Sequence, residues 1–242
     1  MIKPDRLARA RTRSVMIATP VARDPVWQYT IGLMETALAL RQHGIPMAVQ
    51  FVVGSSNLPR ARNELVARFL ASQASDLLFI DDDMGWRADD ALNLLGTEQP
   101  FVGGLGRKRV DKPNDVRGVW CGAPEEDANG RLTSDAQGLV KFKKVGTGFL
   151  KLSREVFERV IDARPDLKAA GHDGMSEDVK SHYYRLFAFG SDEHEAGEDF
   201  LFCETWKSLG GEVWVDPEIW LSHVGSKEYS GCIADHMTDV ES

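Results

Sequence analysis

Cysteine is scarce. Cys121, Cys203 and Cys232 are the whole complement of 242 residues. Three widely spaced thiols make neither a disulfide framework nor a zinc spacing, and the expectation that follows is a reducing, cytoplasmic compartment. Long apolar runs are missing too. Val15-Met16-Ile17-Ala18, behind the basic N-terminus, is too short for a signal-peptide core, and no stretch approaches the roughly 20 residues of a membrane span. Positive charge is in the minority. Lys and Arg number 29 against 37 Asp and Glu, a net charge of −8 that argues against a surface made to coat nucleic acid. The basic residues cluster in Lys3, Arg6, Arg9, Arg11 and Arg13, read as a solvated tail over 1–13, and in Arg107-Lys108-Arg109. These two clusters keep a nucleic-acid partner open without favouring it. Repeats and dividing linkers are also lacking, so residues 14–225 read as one domain followed by a tail over 226–242.

What is present is ordinary for a globular chain: 43% hydrophobic and 27% charged, with enough length to bury a core. One stretch is not ordinary. In Leu77-Leu78-Phe79-Ile80-Asp81-Asp82-Asp83-Met84, four apolar residues run into three carboxylates. A short apolar run suits a strand buried on both faces of a parallel sheet, and the acids then sit at its C-terminal end, where open α/β sheets bind ligands. Adjacent carboxylates repel and ask for a cation, and a hard divalent metal that also holds phosphates is a natural one. An acidic loop capping the next helix is the competing reading.

Around this stretch the pattern alternates. Residues 14–19 read as a strand ending at Thr19-Pro20. Asp24-Pro25 opens a helix whose Trp27, Ile31, Met34 and Leu38 form one apolar face, closed by Gly44. Residues 47–53 are a second strand. A helix over about 58–73 carries Leu65, Val66, Phe69 and Leu70 on its core face, with Arg62 on the same inward side. A cation near a helix N-terminus opposes the macrodipole, which implies an anion nearby. The order β-α-β-α-β gives a parallel sheet with right-handed crossovers. Beyond it come a helix over 88–95 leading to Phe101-Val102-Gly103-Gly104, short strands at 116–120 and 139–143, and Gly146-Thr147-Gly148 before a strand at 149–152. A helix over 153–163, a polar loop at 164–180, a strand at 183–189 and an acidic loop at Asp192-Glu193-His194-Glu195 follow. Gly197-Glu198-Asp199 then opens a helix that Gly210-Gly211 ends, before a strand at 212–215. Asp199, Cys203 and Trp206 fall at i, i+4 and i+7, so Asp199 faces inward, while Glu198 is turned away by about a quarter turn.

Thr19-Pro20, Arg62-Asn63, Asp81-Asp82-Asp83, Gly146-Thr147-Gly148-Phe149, Gly197-Glu198-Asp199 and His223-Val224-Gly225 occur in one order along the chain. With this ordered set the sequence resembles a small A-type-fold (GT-A) glycosyltransferase. The resemblance implies an α/β, GT-A-like (Rossmann-like) mixed and mainly parallel sheet flanked by helices. It implies transfer of a sugar from a nucleotide-diphosphate-sugar, a UDP-sugar by preference, to an acceptor hydroxyl. Asp81, Asp83 and His223 then match ligands of Mn²⁺ or Mg²⁺. Thr19, Pro20, Arg62, Asn63, Asp81, Asp82, Lys108, Gly146, Thr147 and Gly148 match donor-binding positions. Asp199, with Glu198 beside it, is the expected general base. A nucleotidyltransferase of sugar phosphates is the rival enzyme, although the first loop, Val21-Ala22-Arg23-Asp24, has one Arg and no Gly. A non-catalytic nucleotide-sugar-binding module is the rival from outside catalysis. Saccharide, lipid, protein and modified nucleic acid all stay open as acceptors.

Overall fold

The computed structural model describes residues 1–110, 119–190 and 197–236. The strand β1 (Val15–Val21) is its axis, paired in parallel with β2 (Met47–Val53) on one side and with β3 (Asp76–Ile80) on the other. Helix α2 (Trp27–Gln42) connects β1 to β2, and α3 (Leu58–Leu70) connects β2 to β3. The sheet continues through β8 (Phe149–Ser153), β5 (Phe101–Gly103), β9 (Val213–Val215), β7 (Val140–Val145) and β6 (Gly122–Pro124). Only β8 and β7 are antiparallel to their neighbours on both sides, so six of the eight strands run one way. The fold is α/β, a mixed sheet with a parallel core flanked by helices, as the sequence pattern requires. A second sheet pairs β4 (Met84–Trp86), β10 (Leu221–Val224) and β11 (Glu228–Gly231), all antiparallel.

Side-chain alternation along β1 and β3 divides the core in two. Met16, Ala18, Leu77 and Phe79 face α3, α5 (Arg154–Ala163) and α7 (Glu198–Ser208). Val15, Ile17, Leu78 and Ile80 face α2 and α4 (Ala88–Leu95). Pro20 lies within β1, beyond the last β1–β3 pair at Ala18 and Phe79, where one edge of the strand is already free of its neighbour.

Four sequence expectations are corrected. The basic N-terminus is not a solvated tail: it forms α1 (Pro4–Ala10), and Arg6 is buried in an ion pair with Asp216 while also donating to the Gln137 carbonyl (3.0 Å). A Cβ at Gly96 would fall 2.0 Å from the Arg6 carbonyl oxygen, so only glycine admits this docking. In α2 the stripe Trp27, Ile31, Met34 and Leu38 is exposed, and the core takes Tyr29, Gly32, Thr36 and Leu40 instead. Residues 183–189 form an isolated bridge at Tyr184, not a strand, because the backbone of Phe187 is held by a side chain. The polar loop at 164–180 contains a short 3-10 turn (Pro165–Leu167) and most of α6 (Glu177–Ser181), anchored by Met175 and Tyr183 against Ala67. The acidic loop at 192–195 and most of the strand expected at 116–120 lie outside the described residues.

Lys151 sits in mid-β8, fully buried. Its ammonium donates to Thr97 Oγ1 (3.0 Å) and to the Gln99 carbonyl (2.7 Å), just past the C-terminus of α4. These are neutral acceptors, and burial brings its pKa down to about 8.

Candidate active site

β3 ends at Ile80 and the chain turns at once. Met84 N–H donates to the Asp81 carbonyl (3.1 Å), closing a turn that splays the three acidic side chains apart. Each carboxylate meets a different part of the chain. Asp81 accepts from Arg62 Nη2 at 3.0 Å (Oδ1) and 3.3 Å (Oδ2). Asp82 accepts from the Ala22 N–H (2.9 Å), and its carbonyl accepts from Val26 N–H (2.9 Å), so it organises the β1–α2 loop. Burial pushes the Asp82 carboxyl above its usual range. The Ala22 bond draws it back, while Asp83 and Asp81 add repulsion. Asp83 faces Arg109 Nη1 (3.0 Å) and His223 Nε2 (3.3 Å).

His223 reaches the acidic turn because β10 pairs with β4, setting His223 opposite Met84. Its Nδ1 lies 2.7 Å from the Arg107 carbonyl. Burial pulls the imidazole toward its neutral form, but hydrogen bonds to Asp83 and Cys121 and the charge of Asp83 outweigh it and raise the pKa to about 10.

Gly146-Thr147-Gly148 crosses from β7 to β8 over this end of the sheet. Gly146 N–H donates to the Cys121 carbonyl (2.9 Å), and the Gly148 carbonyl accepts from Asp81 N–H (3.2 Å). A Cβ on Gly146 would lie 3.5 Å from Asp199 Oδ2, and one on Gly148 would lie 3.5 Å from Asp81 Oδ2. The turn therefore runs between two carboxylates. Thr147 Oγ1 is buried and has no hydrogen-bond partner among the described residues.

A cleft of about 100 Å³ results, lined by Asp81, Cys121, Thr147, Asp199 and His223 among others. Burial pushes the Asp199 carboxyl above its usual range, and the nearby charge of Arg62 pulls it part of the way back. Its Oδ1 accepts from Phe200 N–H (2.8 Å), which leaves Oδ2 toward the glycine turn.

No protein-family model matches the chain, and no curated protein matches it. Solved structures do. One is the crystal structure of HddC from Yersinia pseudotuberculosis complexed with GMP-PN, at 13% identity and a TM-score of 0.31, covering 59% of this chain and 78% of that one.

Of the residues singled out in the sequence, the structure gathers Asp81, Gly146, Thr147, Gly148, Asp199 and His223 around one cleft, with Asp83 against His223. It does not gather others. Asn63 is buried, and its amide is taken up by Phe187, donating to the carbonyl and accepting from the N–H, both at 2.8 Å. Thr19 is buried against the Tyr29 hydroxyl (2.6 Å). Pro20 is buried in β1, and Lys108 is exposed outside the cleft. Glu198 is not turned away: it is buried and ion-paired with Arg62, because Glu198, Phe202 and Trp206 form an inward i, i+4, i+8 row beside that of Asp199. Cys121 and Arg109 were missed. Cys121 is a lone thiol in an irregular segment, and Arg109 shows in the sequence only as one of the basic run Arg107-Lys108-Arg109, so neither leaves a periodic signal to place it at the site.

Among the described residues no three of His, Cys, Asp and Glu stand close enough together to hold a metal ion. Asp83 with His223 is a pair, a carboxylate beside an imidazole, and this donor set suits Mn²⁺. Asp81 is turned to Arg62. Asp83 and His223 fit a two-ligand seat for a divalent cation, and the described residues do not fit a closed three-ligand site.

Proposed function

We propose that this chain is a glycosyltransferase that takes a sugar from a nucleotide-diphosphate-sugar and passes it to an acceptor hydroxyl, with a divalent cation held by Asp83 and His223. The observation that carries the reading is the convergence of Asp81, the Gly146–Gly148 turn, Asp199 and His223 on one cleft at the C-terminal edge of the sheet. It joins the motif set that resembles A-type-fold glycosyltransferases in one place. At about 100 Å³ the cleft has room for reacting groups and not for a whole donor, so the nucleotide would extend over the rim toward Arg109.

Each residue then has a physical task. Asp199, with its basicity raised by burial, accepts the proton of the acceptor hydroxyl as the new glycosidic bond forms. Thr147 offers an unused hydroxyl to a sugar oxygen. Arg62 holds Asp81 and Glu198 in place. The cation, when bound, offsets charge that develops on the departing diphosphate. A nucleotidyltransferase of sugar phosphates and a non-catalytic nucleotide-sugar-binding module remain the competing readings.

The test is a thermal-shift screen of UDP-, GDP- and dTDP-sugars with and without Mn²⁺, followed by a donor-hydrolysis assay. A shift that needs both components, with release of nucleoside diphosphate, supports the reading, since a bound ligand raises apparent stability. Release of pyrophosphate from a nucleoside triphosphate and a sugar phosphate would assign the cleft to nucleotidyl transfer. Binding without turnover of any kind would leave the binding module.

A further inference from the structure

Thr147 supplies the only hydroxyl among the described residues that line the cleft. The residue is 2% exposed, and its Oγ1 has no hydrogen-bond partner among the described residues. The groups around it are engaged. Asp81 is held by Arg62, and His223 lies between Asp83 and the Arg107 carbonyl. The backbone of the glycine turn is also used, Gly146 N–H on the Cys121 carbonyl and the Gly148 carbonyl on Asp81 N–H. A buried hydroxyl without a partner is costly, so one that persists at a cleft points to a group arriving from outside.

A second group stands beside it. Asp199 Oδ2 lies 3.5 Å from where a Cβ on Gly146 would be, and Gly146 immediately precedes Thr147. Consecutive Cα atoms are about 3.8 Å apart, so a ligand that meets both groups carries its own two polar groups on neighbouring carbons. The volume agrees. About 100 Å³ is the space of about three waters at about 30 Å³ each. A lone hydroxymethyl group underfills it, whereas two hydroxyls and the carbons that bear them occupy it, with Met84 and Phe149 as apolar wall. Arg62 already offsets Asp81, which disfavours an ammonium between the two carboxylates.

We propose that the acceptor is a carbohydrate that enters the cleft by two neighbouring hydroxyls, one donating to Asp199 Oδ2 and the other paired with Thr147 Oγ1. Thr147 is then a specificity-determining residue. An acceptor with a single hydroxyl, such as a serine side chain, satisfies Asp199 and leaves the Thr147 hydroxyl buried and unpaired, and a site built to pair a hydroxyl rejects a ligand that lacks it. The inference rests on the glycosyl transfer proposed above and chooses among the acceptors which that reading leaves open.

Saturation-transfer NMR on the full chain tests it without a donor sugar. The probes are the methyl pyranosides of glucose, galactose and mannose, their monodeoxy analogues, and N-acetylserinamide as the single hydroxyl, each with and without UDP and Mn²⁺. At least one pyranoside should bind, and removing one hydroxyl of its neighbouring pair should weaken binding by about 10-fold or more. Thr147→Val keeps the branched shape and removes the hydroxyl. It should bring the pyranoside down to the level of its deoxy analogue and leave the analogue unchanged, the non-additivity expected of groups in contact. Thr147→Ser keeps the hydroxyl and should keep the preference, which controls for folding. Absence of binding by every pyranoside overturns the proposal. So does equal binding of N-acetylserinamide, or a preference that survives Thr147→Val. Displacement of the pyranoside by UDP with Mn²⁺ would give Thr147 to the donor and overturn it as well. Release of nucleoside diphosphate with water as acceptor reads the glycosyltransferase assignment alone, so that reading can stand while this one fails.

Discussion

His223 Nε2 lies 3.3 Å from Asp83 Oδ2, joining the end of one sheet to a strand near the other end of the chain. This contact is the physical basis of the imidazole's raised pKa, with Cys121 and the Arg107 carbonyl contributing. Asp83→Asn keeps the size and removes the charge. The His223 pKa, read by NMR titration, should fall from about 10 toward its ordinary value. In the same variant the stabilisation that Mn²⁺ and donor give together should be lost, because a hard cation is poorly held without its carboxylate. An unchanged thermal shift would remove Asp83 from the site.

Asp199 and Glu198 are adjacent yet should fail in different ways. Asp199→Asn should leave folding and donor binding intact and lower transfer by a factor on the order of 10² to 10⁴. Glu198→Gln should act first on stability, since it removes one of the two carboxylates paired with the buried Arg62. Breaking a buried pair costs about 3–5 kcal/mol, an upper bound here because Asp81 still holds the guanidinium. Urea melts beside turnover rates for both variants separate the two effects. Full turnover in Asp199→Asn would dismiss it as the base.

Lys151 gives the molecule a pH signature that has nothing to do with the cleft. Its folded pKa is about 8, below the 10.5 of an unhindered lysine. Between those values the unfolded chain binds the proton and the folded chain does not, so stability rises with pH across that window. The slope from this one group is at most about 1.4 kcal/mol per pH unit. Lys151→Met should flatten the profile between pH 8 and 10.5 while leaving the acid limb unaltered. Equal slopes in the two proteins would mean that the ammonium stays charged in the fold.

Asn63 fixes the segment around Phe187 with both ends of its amide. Asn63→Ala orphans a buried N–H and a buried carbonyl and should lower unfolding free energy by about 1–3 kcal/mol for each group left unsatisfied. Amide exchange at Phe187 should speed up with it. If Asn63 instead served a nucleotide, donor affinity would fall with no change in that exchange.

The sequence showed most of the fold because its strongest signals are local. The apolar run into Asp81, Asn57 before α3 and the eight-residue helix α4 all announce themselves within a few positions. The convergence of Asp81, Asp199 and His223 was legible through motif order, which no single spacing supplies. What stayed hidden needed a partner far along the chain. Periodicity shows that α2 has an apolar stripe, but it cannot say which of two stripes meets Trp86. Arg6 looks solvated until Asp216 is beside it, and Asn63 looks free until Phe187 takes its amide.

The carboxylates of the acidic turn are already satisfied from within: Asp81 by Arg62, Asp82 by Ala22 N–H, Asp83 by Arg109 and His223. On the proposed function, binding of a cation and a diphosphate at this site is an exchange of partners. A cation alone must displace Arg109 from Asp83 and the proton from His223, and it leaves a half-exposed guanidinium without its counter-charge. An anion alone meets an arginine already neutralised. Brought together, the cation takes the carboxylate and the anion takes the released arginine, so neither charge is stranded. Metal and diphosphate should accordingly bind as a cooperative pair, each tightening the other by the same factor.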